Sequence, residues 1–248
     1  MNKISIIIPI LNEAETISKL LNHLIKNSSQ KNISKIIVVD GGSTDGSQNI
    51  VTKFVSDRSQ SSPIDLSTTL EEKATVLLSS QKGRAKQMNT GSKLATGNIL
   101  YFLHADSFPP KNFDQLIISE ISKGHLAGCF RLQFNHNHWW LRLASWLTQF
   151  HWRACRGGDQ SQFITKELFN DIGGFDENYT IYEDNILINE LYKRKQFKVI
   201  NKKLITSARR YKKHGIWKLQ YLFWAIYVKK WFGASADELH AYYEKHIA

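Results

Sequence analysis

The chain has 248 residues, 42% of them hydrophobic, with a formal net charge of +11 at neutral pH. That length fits one large domain, or one domain with an appendage, and the apolar content suffices for a substantial core. Two cysteines, Cys129 and Cys155, exclude a disulfide framework and fit a reducing, cytoplasmic compartment.

No run of about 18 apolar residues exists, so no membrane-spanning helix is expected. The apolar start from Ile4 to Leu11 is too short for a signal segment. The basic balance suits anionic partners (nucleotides, phospholipid headgroups or nucleic acid) without choosing among them.

Residues 3–9 read as a buried parallel strand, short, β-branched and stopped by Pro9. Residues 13–26 follow as a helix, with Ile17, Leu20, Leu21, Leu24 and Ile25 at helical spacing. Residues 34–39 are the next strand and 45–55 the next helix, which makes a right-handed βαβ unit. Residues 56–72, rich in Ser, Thr, Asp and Gln, read as a loop. A strand at 75–78, a helix at 83–94 ended by Gly97, and a strand at 98–103 complete the first half. The expectation is an α/β fold with a mostly parallel central sheet flanked by helices.

In the second half, strands are expected at 126–134, 161–164, 197–200 and 204–207. Helices are expected at 139–153, 166–171, 183–195, 215–232 and 236–246. No internal repeat or linker separates autonomous parts. The expected division is a main domain over 1–210, with 211–248 as a helical appendage packed on it.

Two apolar runs end in an aspartate: Ile36-Ile37-Val38-Val39-Asp40, and Ile99-Leu100-Tyr101-Phe102-Leu103-His104-Ala105-Asp106. Ligands of open α/β sheets bind at the carboxyl ends of strands, so the two acids suggest one shared site. One carboxylate suits a ribose or base; the other suits a divalent cation held against a diphosphate. This points to a nucleotide-sugar more than a dinucleotide, because GxGxxG is absent and Asp40 precedes its glycines. Gly41 and Gly42 permit a tight turn, and Asp45 reads as a cap of the next helix. Pro9-Ile10-Leu11-Asn12-Glu13 sits where the first strand meets its helix, whose free N–H groups suit anions or sugar oxygens. Glu13 reads equally as a first-turn acid favoured by the helix dipole.

In order and spacing, Ile6-Ile7-Ile8-Pro9, Asn12-Glu13, Asp40-Gly41-Gly42-Ser43-Thr44-Asp45-Gly46, Leu103-His104-Ala105-Asp106, Gly173-Gly174-Phe175-Asp176-Glu177 and Glu183-Asp184 resemble a family-2 glycosyltransferase. The resemblance spans about residues 3–195. It implies a GT-A fold, a nucleotide-sugar donor, a divalent cation and usually inversion at the anomeric carbon. Carried over, it puts Asp40 and Glu13 on base and ribose, with Pro9, Asn12 and Ala105 in the same nucleotide-sugar set. Asp106 becomes the metal carboxylate of the Asp-x-Asp element, with His104 where that element has its first acid. His104 is then a ribose contact, an imidazole ligand or a buried structural histidine. Mn²⁺ and Mg²⁺ both suit such a site, and an imidazole favours Mn²⁺.

The stretch from Lys82 to Gly91 resembles the one lining base and phosphates. Arg84 and Lys86, two residues apart, do not share a helix face. Arg84 is expected at the ligand; a solvated basic helix is the alternative. The resemblance places the base in Glu183-Asp184. Adjacent helical residues diverge by about 100°, so one of the two is expected to reach the site, and Asp184 is the choice. Asp159, in Arg156-Gly157-Gly158-Asp159-Gln160, competes as base or acceptor contact. No Gln-x-x-Arg-Trp signature of processive synthases occurs, which argues for single-sugar transfer. Arg209-Arg210-Tyr211-Lys212-Lys213-His214 offers a cationic lid, with Arg209 on the diphosphate and His214 completing the metal shell; a solvated basic surface is the plainer reading. A UDP-sugar is the first donor to consider, with GDP- and dTDP-sugars open. The acceptor, whether lipid, metabolite or glycan, is open.

All seven tryptophans lie in the second half. Trp217, Trp224 and Trp231 recur every seven residues. Packing in the core or along a homodimer seam is the first expectation; peripheral contact with an anionic membrane is the other. Trp139 and Trp140 are candidates to flank the acceptor.

Rival functions weigh less. A nucleotidyltransferase would want a Gly-rich loop with Arg and Lys after the first strand, where Asn12-Glu13-Ala14-Glu15 stands. A nucleotide-binding or membrane-surface module without turnover is kept alive by His104. A nucleic-acid binder fits the charge, but no recognition motif occurs and the strand-tip acids would repel phosphates without a metal.

Overall fold

The computed structural model describes residues 2–60 and 75–247. Its first half comprises β1 (Ile4–Ile10), α1 (Ile17–Asn27), β2 (Ile33–Asp40), α2 (Ser47–Gln60), β3 (Thr75–Ser79), α3 (Arg84–Leu94) and β4 (Ile99–Phe102). These strands run parallel, β1 pairing with both β2 and β4, and β2 with β3. All of β1 and β4 is buried, which is why both read as near-continuous apolar runs, interrupted in β1 by Ser5 alone.

The second half adds β5 (Ser107–Phe108), α4 (Phe113–Ser122), β6 (Ala127–Phe134), α5 (Trp139–Leu147), β7 (Gln162–Thr165), α6 (Lys166–Ile172), α7 (Glu183–Lys193) and β8 (Phe197–Thr206). Three helices close the chain: α8 (Arg209–His214), α9 (Ile216–Trp231) and α10 (Ala236–His246). The eight strands form one sheet in the order β3-β2-β1-β4-β7-β6-β8-β5. Here the pairing is mixed: β7 is antiparallel to β4 and β6, β8 is parallel to β6, and β5 is antiparallel to β8.

Alternation along β1 divides the core. Ile6 and Ile8 share one layer with Leu20 and Leu21 of α1 and Phe113 of α4. Ile7 faces the other, with Met88 of α3 and Leu187 and Ile188 of α7. A third cluster joins α9 to α10 through Leu219, Leu222, Ile226 and Leu239, with Ile181 beneath.

Several boundaries depart from expectation, each for a local reason. Pro9 does not stop β1. The Ile10 carbonyl accepts from Gly41 N on the β2 side, and the Ile7 carbonyl from Leu103 N on the β4 side. Pro9, in phase with Ile7, turns its nitrogen toward β4, whose pairing has ended at Phe102. Helix α1 starts at Ile17, not at 13, because Asn12 takes a φ of 56° and a turn with Thr16 N donating to Glu13 O fills the gap. Helix α2 absorbs the start of the expected loop; the rest of that loop lies outside the described residues. Gly97 does not end α3, which stops at Leu94. It lies against β1, where a Cβ would sit 2.6 Å from the Lys3 carbonyl oxygen.

Helix α5 ends at Leu147, because the Thr148 hydroxyl donates to the Ser145 carbonyl and accepts from Leu132 N of β6. The two late strands are one, β8, whose register jumps from Phe130↔Ile200 to Arg131↔Lys203. The expected core packing of Trp217, Trp224 and Trp231 is overturned. Their side chains are 51%, 48% and 85% exposed, because α9 turns Leu219, Leu222 and Ile226 inward.

Candidate functional site

At the carboxyl edge of β1 and β2 two loops are stapled into one unit. Asp40 accepts from Gly42 N (3.0 Å), Ser43 N (3.1 Å) and Gln48 Nε2 (2.6 Å). Gly42 turns the chain with a φ of 97°. Burial alone would raise the Asp40 carboxyl, yet hydrogen bonds from Ser43, Gln48 and Gly42 together hold it below its ordinary value. Asn12 accepts from Thr44 N (2.8 Å) and donates its own N–H to Ser43 Oγ (2.9 Å). Asp45 accepts from Ser47 N, at the start of α2, and from Ala14 N across the gap. Below them Gln87 of α3, which is buried, donates to the carbonyls of Ile10 (2.8 Å) and Val39 (2.7 Å) and locks the two strand ends together.

Beside this unit lies a first arginine cluster. Arg209, at the start of α8, forks onto Glu13: Nη1 donates to Oε2 at 2.8 Å and Nη2 to Oε1. Its Nε lies 3.5 Å from Asp106 Oδ2. Thr16 Oγ1 also donates to Glu13 Oε2 (2.8 Å). Burial pushes Asp106 up to about 6, against the pull of Arg209. Its carboxyl is therefore ionised at neutral pH.

A second cluster is built on α3 and α7. Arg84, the first residue of α3, places Nε 3.2 Å from Glu183 Oε1 and Nη1 3.6 Å from Asp184 Oδ2. Both acids sit in the first turn of α7 and are buried. Both neighbours reach the same guanidinium, whose fork spans the divergence between adjacent residues on a helix. Burial first, and the neighbouring Glu183 second, push Asp184 up to about 6; burial raises Glu183 as well. Burial would lower Arg84, but the two acids hold it above its ordinary value. Lys86 turns away to Gln81 Oε1 (3.0 Å), so Arg84 and Lys86 divide as their spacing required.

His104 joins the clusters. It lies two residues before Asp106, and its ring feels Arg84, Asp184, Asp159 and Arg210. Burial, then the Arg84 charge, hold it below its ordinary value, which leaves a neutral imidazole at pH 7. Ala105 beside it is buried. Asp159 is exposed on a 3₁₀ turn over Gly158–Gln160, and its charge acts on both clusters, reaching Asp106 as well as Arg84 and Asp184. Its loop is anchored by Arg156, 2% exposed, whose Nη2 donates to the carbonyls of Thr148 (2.7 Å) and Phe150 (2.6 Å).

Sequence reasoning did not single out Gln48, Gln87 or Arg156, which act on backbone or on one carboxylate through geometry that no spacing records. His214 ends α8 with Lys213, Lys218 and Arg210 as its charged neighbours. Among the described residues no three His, Cys, Asp or Glu side chains gather into a cation cage. The donor set that fits a divalent ion is smaller: the ionised Asp106 carboxylate and the neutral His104 imidazole, an oxygen and a nitrogen that suit Mn²⁺ or Mg²⁺ as part of a shell. Cavities of about 500 and 520 Å³ open between α6 and α7 and between β6 and α5, and both clusters lie outside them.

Residues 5–176 match the model of glycosyl transferase family 2, well over half of the chain. The glycosyltransferase AglE of Haloferax volcanii is 33% identical over 119 residues, 48% of this chain and 35% of that protein. The poly(ribitol-phosphate) beta-N-acetylglucosaminyltransferase TarS of Staphylococcus aureus is 31% identical over 108 residues, 44% of this chain and 17% of that protein. The chain thus matches about a third of the first relative's length and about a sixth of the second's. Among solved structures, the mannosyltransferase PcManGT of Pyrobaculum calidifontis, in complex with GDP-Man and Mn²⁺, superposes with a TM-score of 0.68 at 17% identity. That alignment covers 98% of this chain and 69% of the other. TarS 1–349 in complex with UDP gives 0.62 at 18% identity over 83% and 60%. The superpositions establish the GT-A fold, and the family match establishes more: this chain belongs to glycosyl transferase family 2.

Proposed function

We propose that the chain transfers a single sugar from a nucleotide-sugar donor, a UDP-sugar before others, to an acceptor hydroxyl, with inversion and with a divalent cation. The observation that carries this reading is the pair of arginine–acid clusters bordering His104 at the carboxyl edge of the parallel strands. The neighbours add support: one is described with GDP-Man and Mn²⁺, others with UDP and with UDP-GlcNAc.

In this reading Asp40, Asn12, Glu13, Pro9 and Ala105 take the base and ribose. Asp40 stays ionised, since its hydrogen bonds favour the charged form. Arg209 leaves Glu13 and Asp106 for the donor's diphosphate. Asp184 is the base. As the acceptor oxygen forms its bond to the anomeric carbon, Asp184 takes the hydroxyl proton, and the carbon–oxygen bond to the diphosphate breaks with its electron pair leaving on the diphosphate. A carboxyl pushed up to about 6 is ionised at neutral pH yet a stronger base than an ordinary aspartate. Arg84 and Glu183 hold Asp184 in place, and Asp159 meets the acceptor. Asp106 and His104 would hold a divalent cation, which would supply positive charge against the departing diphosphate. Residues 1–210 carry the transfer and 211–248 form an appendage on them.

Thermal unfolding with UDP, GDP or dTDP, each with Mn²⁺ or with EDTA, tests this. A ligand at 100 times its dissociation constant stabilises by about 2.7 kcal/mol, or roughly 5–10 °C for a domain of this size. The expected result is a shift with one nucleotide that needs Mn²⁺. No shift with any of the three overturns the donor assignment.

A further inference from the structure

Among the described residues, eleven of the twelve exposed large hydrophobic side chains fall on α5, the segment after it, α9 and Phe232 just beyond; Ile205 is the exception. On α9 the exposed residues Trp217, Tyr221, Trp224, Val228 and Trp231 recur at intervals of four and three, which makes one stripe. On α5 Trp139, Leu143 and Trp146 do the same. The stripes are joined, since Trp217 lies 5.6 Å from Trp139 and 5.4 Å from Trp140, and Trp140 lies 5.8 Å from Trp224. Trp231 and Phe232, 85% and 83% exposed, project furthest.

The charge carried by the two stretches around this surface has one sign, and the nearest acids stand outside them: Glu238 of α10, which feels Lys229, and Asp159, whose charge reaches Tyr227. Residues 136–158 and 207–236 hold no Asp or Glu, while Lys212, Lys213, Lys218 and Lys229 are exposed along the second stretch. At about 100° per residue, Lys218 and Lys229 fall on one margin of the α9 stripe. Among the described residues no helix is long and apolar enough to cross a membrane. A two-fold dimer would set this cationic face against itself, which disfavours a second copy. Tryptophan and tyrosine with a lysine margin match the boundary between acyl chains and anionic headgroups.

We propose that this face docks on an anionic lipid surface, with the tryptophans entering the interface and the lysines meeting the headgroups. The face borders the Asp184 side of the site. Tyr227 of α9 donates to Asn185 Oδ1 at 3.4 Å, and a Cβ on Gly157 would lie 3.9 Å from the Tyr227 hydroxyl. A membrane-borne acceptor would therefore arrive beside Asp184; that consequence rests on the transfer reading above, whereas the docking does not.

The test is flotation of the full chain with vesicles of phosphatidylcholine alone and of phosphatidylcholine with phosphatidylglycerol, read by position in the gradient and by tryptophan emission. The expected result is flotation with the anionic vesicles, a blue shift on binding, and loss of both in W231S/F232S, whose exposed positions leave folding intact by circular dichroism. K218Q/K229Q is expected to bind about tenfold or more weakly. Equal partitioning to both vesicles, or to neither, overturns the proposal. So does concentration-dependent self-association without vesicles that W231S/F232S abolishes, which would assign the face to a second copy.

Discussion

The two arginine clusters are alike in composition and unlike in setting. Each is one guanidinium shared by two carboxylates. Arg84 is 29% exposed, and its partners Glu183 and Asp184 are 1% and 11% exposed, all on helices packed into the sheet. Arg209 is 49% exposed, on a six-residue helix, with Glu13 and Asp106 at 12% and 19%. The more buried cluster fixes geometry, because its two carboxylates, held deep in the packing, depend on Arg84 for most of their solvation. The open one is an exchangeable contact whose arginine water or a diphosphate can take over. Burial, not composition, separates a frame from a clamp.

The sharpest way to break that comparison is Asp184→Asn. Donor binding, read by nucleotide-induced thermal shift, is expected to hold while transfer falls by about 10²–10⁴. If Asp159→Asn alone gives that phenotype, the base is Asp159. Arg84→Gln comes next. It leaves two buried carboxylates unpaired and is expected to cost about 3 kcal/mol, readable in urea unfolding; a loss as small as that of an exposed pair would make the two clusters equivalent. Arg209→Gln is expected to change stability by about 0.5 kcal/mol or less, as solvent screens the pair, while raising the KM for the donor more than it lowers kcat.

Acidity joins the clusters, since burial pushes Asp184 and Asp106 alike up to about 6. With Asp184 at about 6, activity is expected to fall about tenfold per unit below pH 6 and to be flat above it. Asp106 shifts stability in the opposite sense. Its folded value of about 6 lies above its ordinary 3.8, so the folded state holds the extra proton between these values. Its contribution is full below about pH 4 and is lost as pH rises through 6. In Asp106→Asn that part of the decline is expected to vanish from the pH dependence of unfolding.

The sheet's first half was legible because β1, the core of β2 from Ile36 to Val39, and β4 are buried on both faces and nearly continuous in apolar residues. Helix α10 lies where 236–246 was read as a helix, and the structure adds what starts it: Ser235 and Glu238 form a reciprocal capping box. Helix α8 was not, because Arg-Arg-Tyr-Lys-Lys-His offers no apolar period to read. Helix α4 was missed although Asn112 and Asp114 offer a start signal; Asn112 instead precedes it in a left-handed conformation, without a side-chain cap. In the site, Asp40 and Asp106 stood out as acids closing apolar runs. The Arg209–Glu13 contact joins residues 196 apart and follows only from the path of β8.

That path turns on the irregularity between Ile200 and Lys203. Two residues of β8, Asn201 and Lys202, have no counterpart on β6, so Ile200 and Leu204 keep the same parity and both point into the core beside Phe130 and Leu132. An insertion or deletion of a single residue here would reverse every later side chain of the strand. It would carry Leu204 to solvent and rotate the exit toward Arg209 to the wrong side of the sheet. Length variation at this point is thus constrained to even steps: a change of two residues re-sizes the bulge, while a change of one disassembles the clamp from a distance.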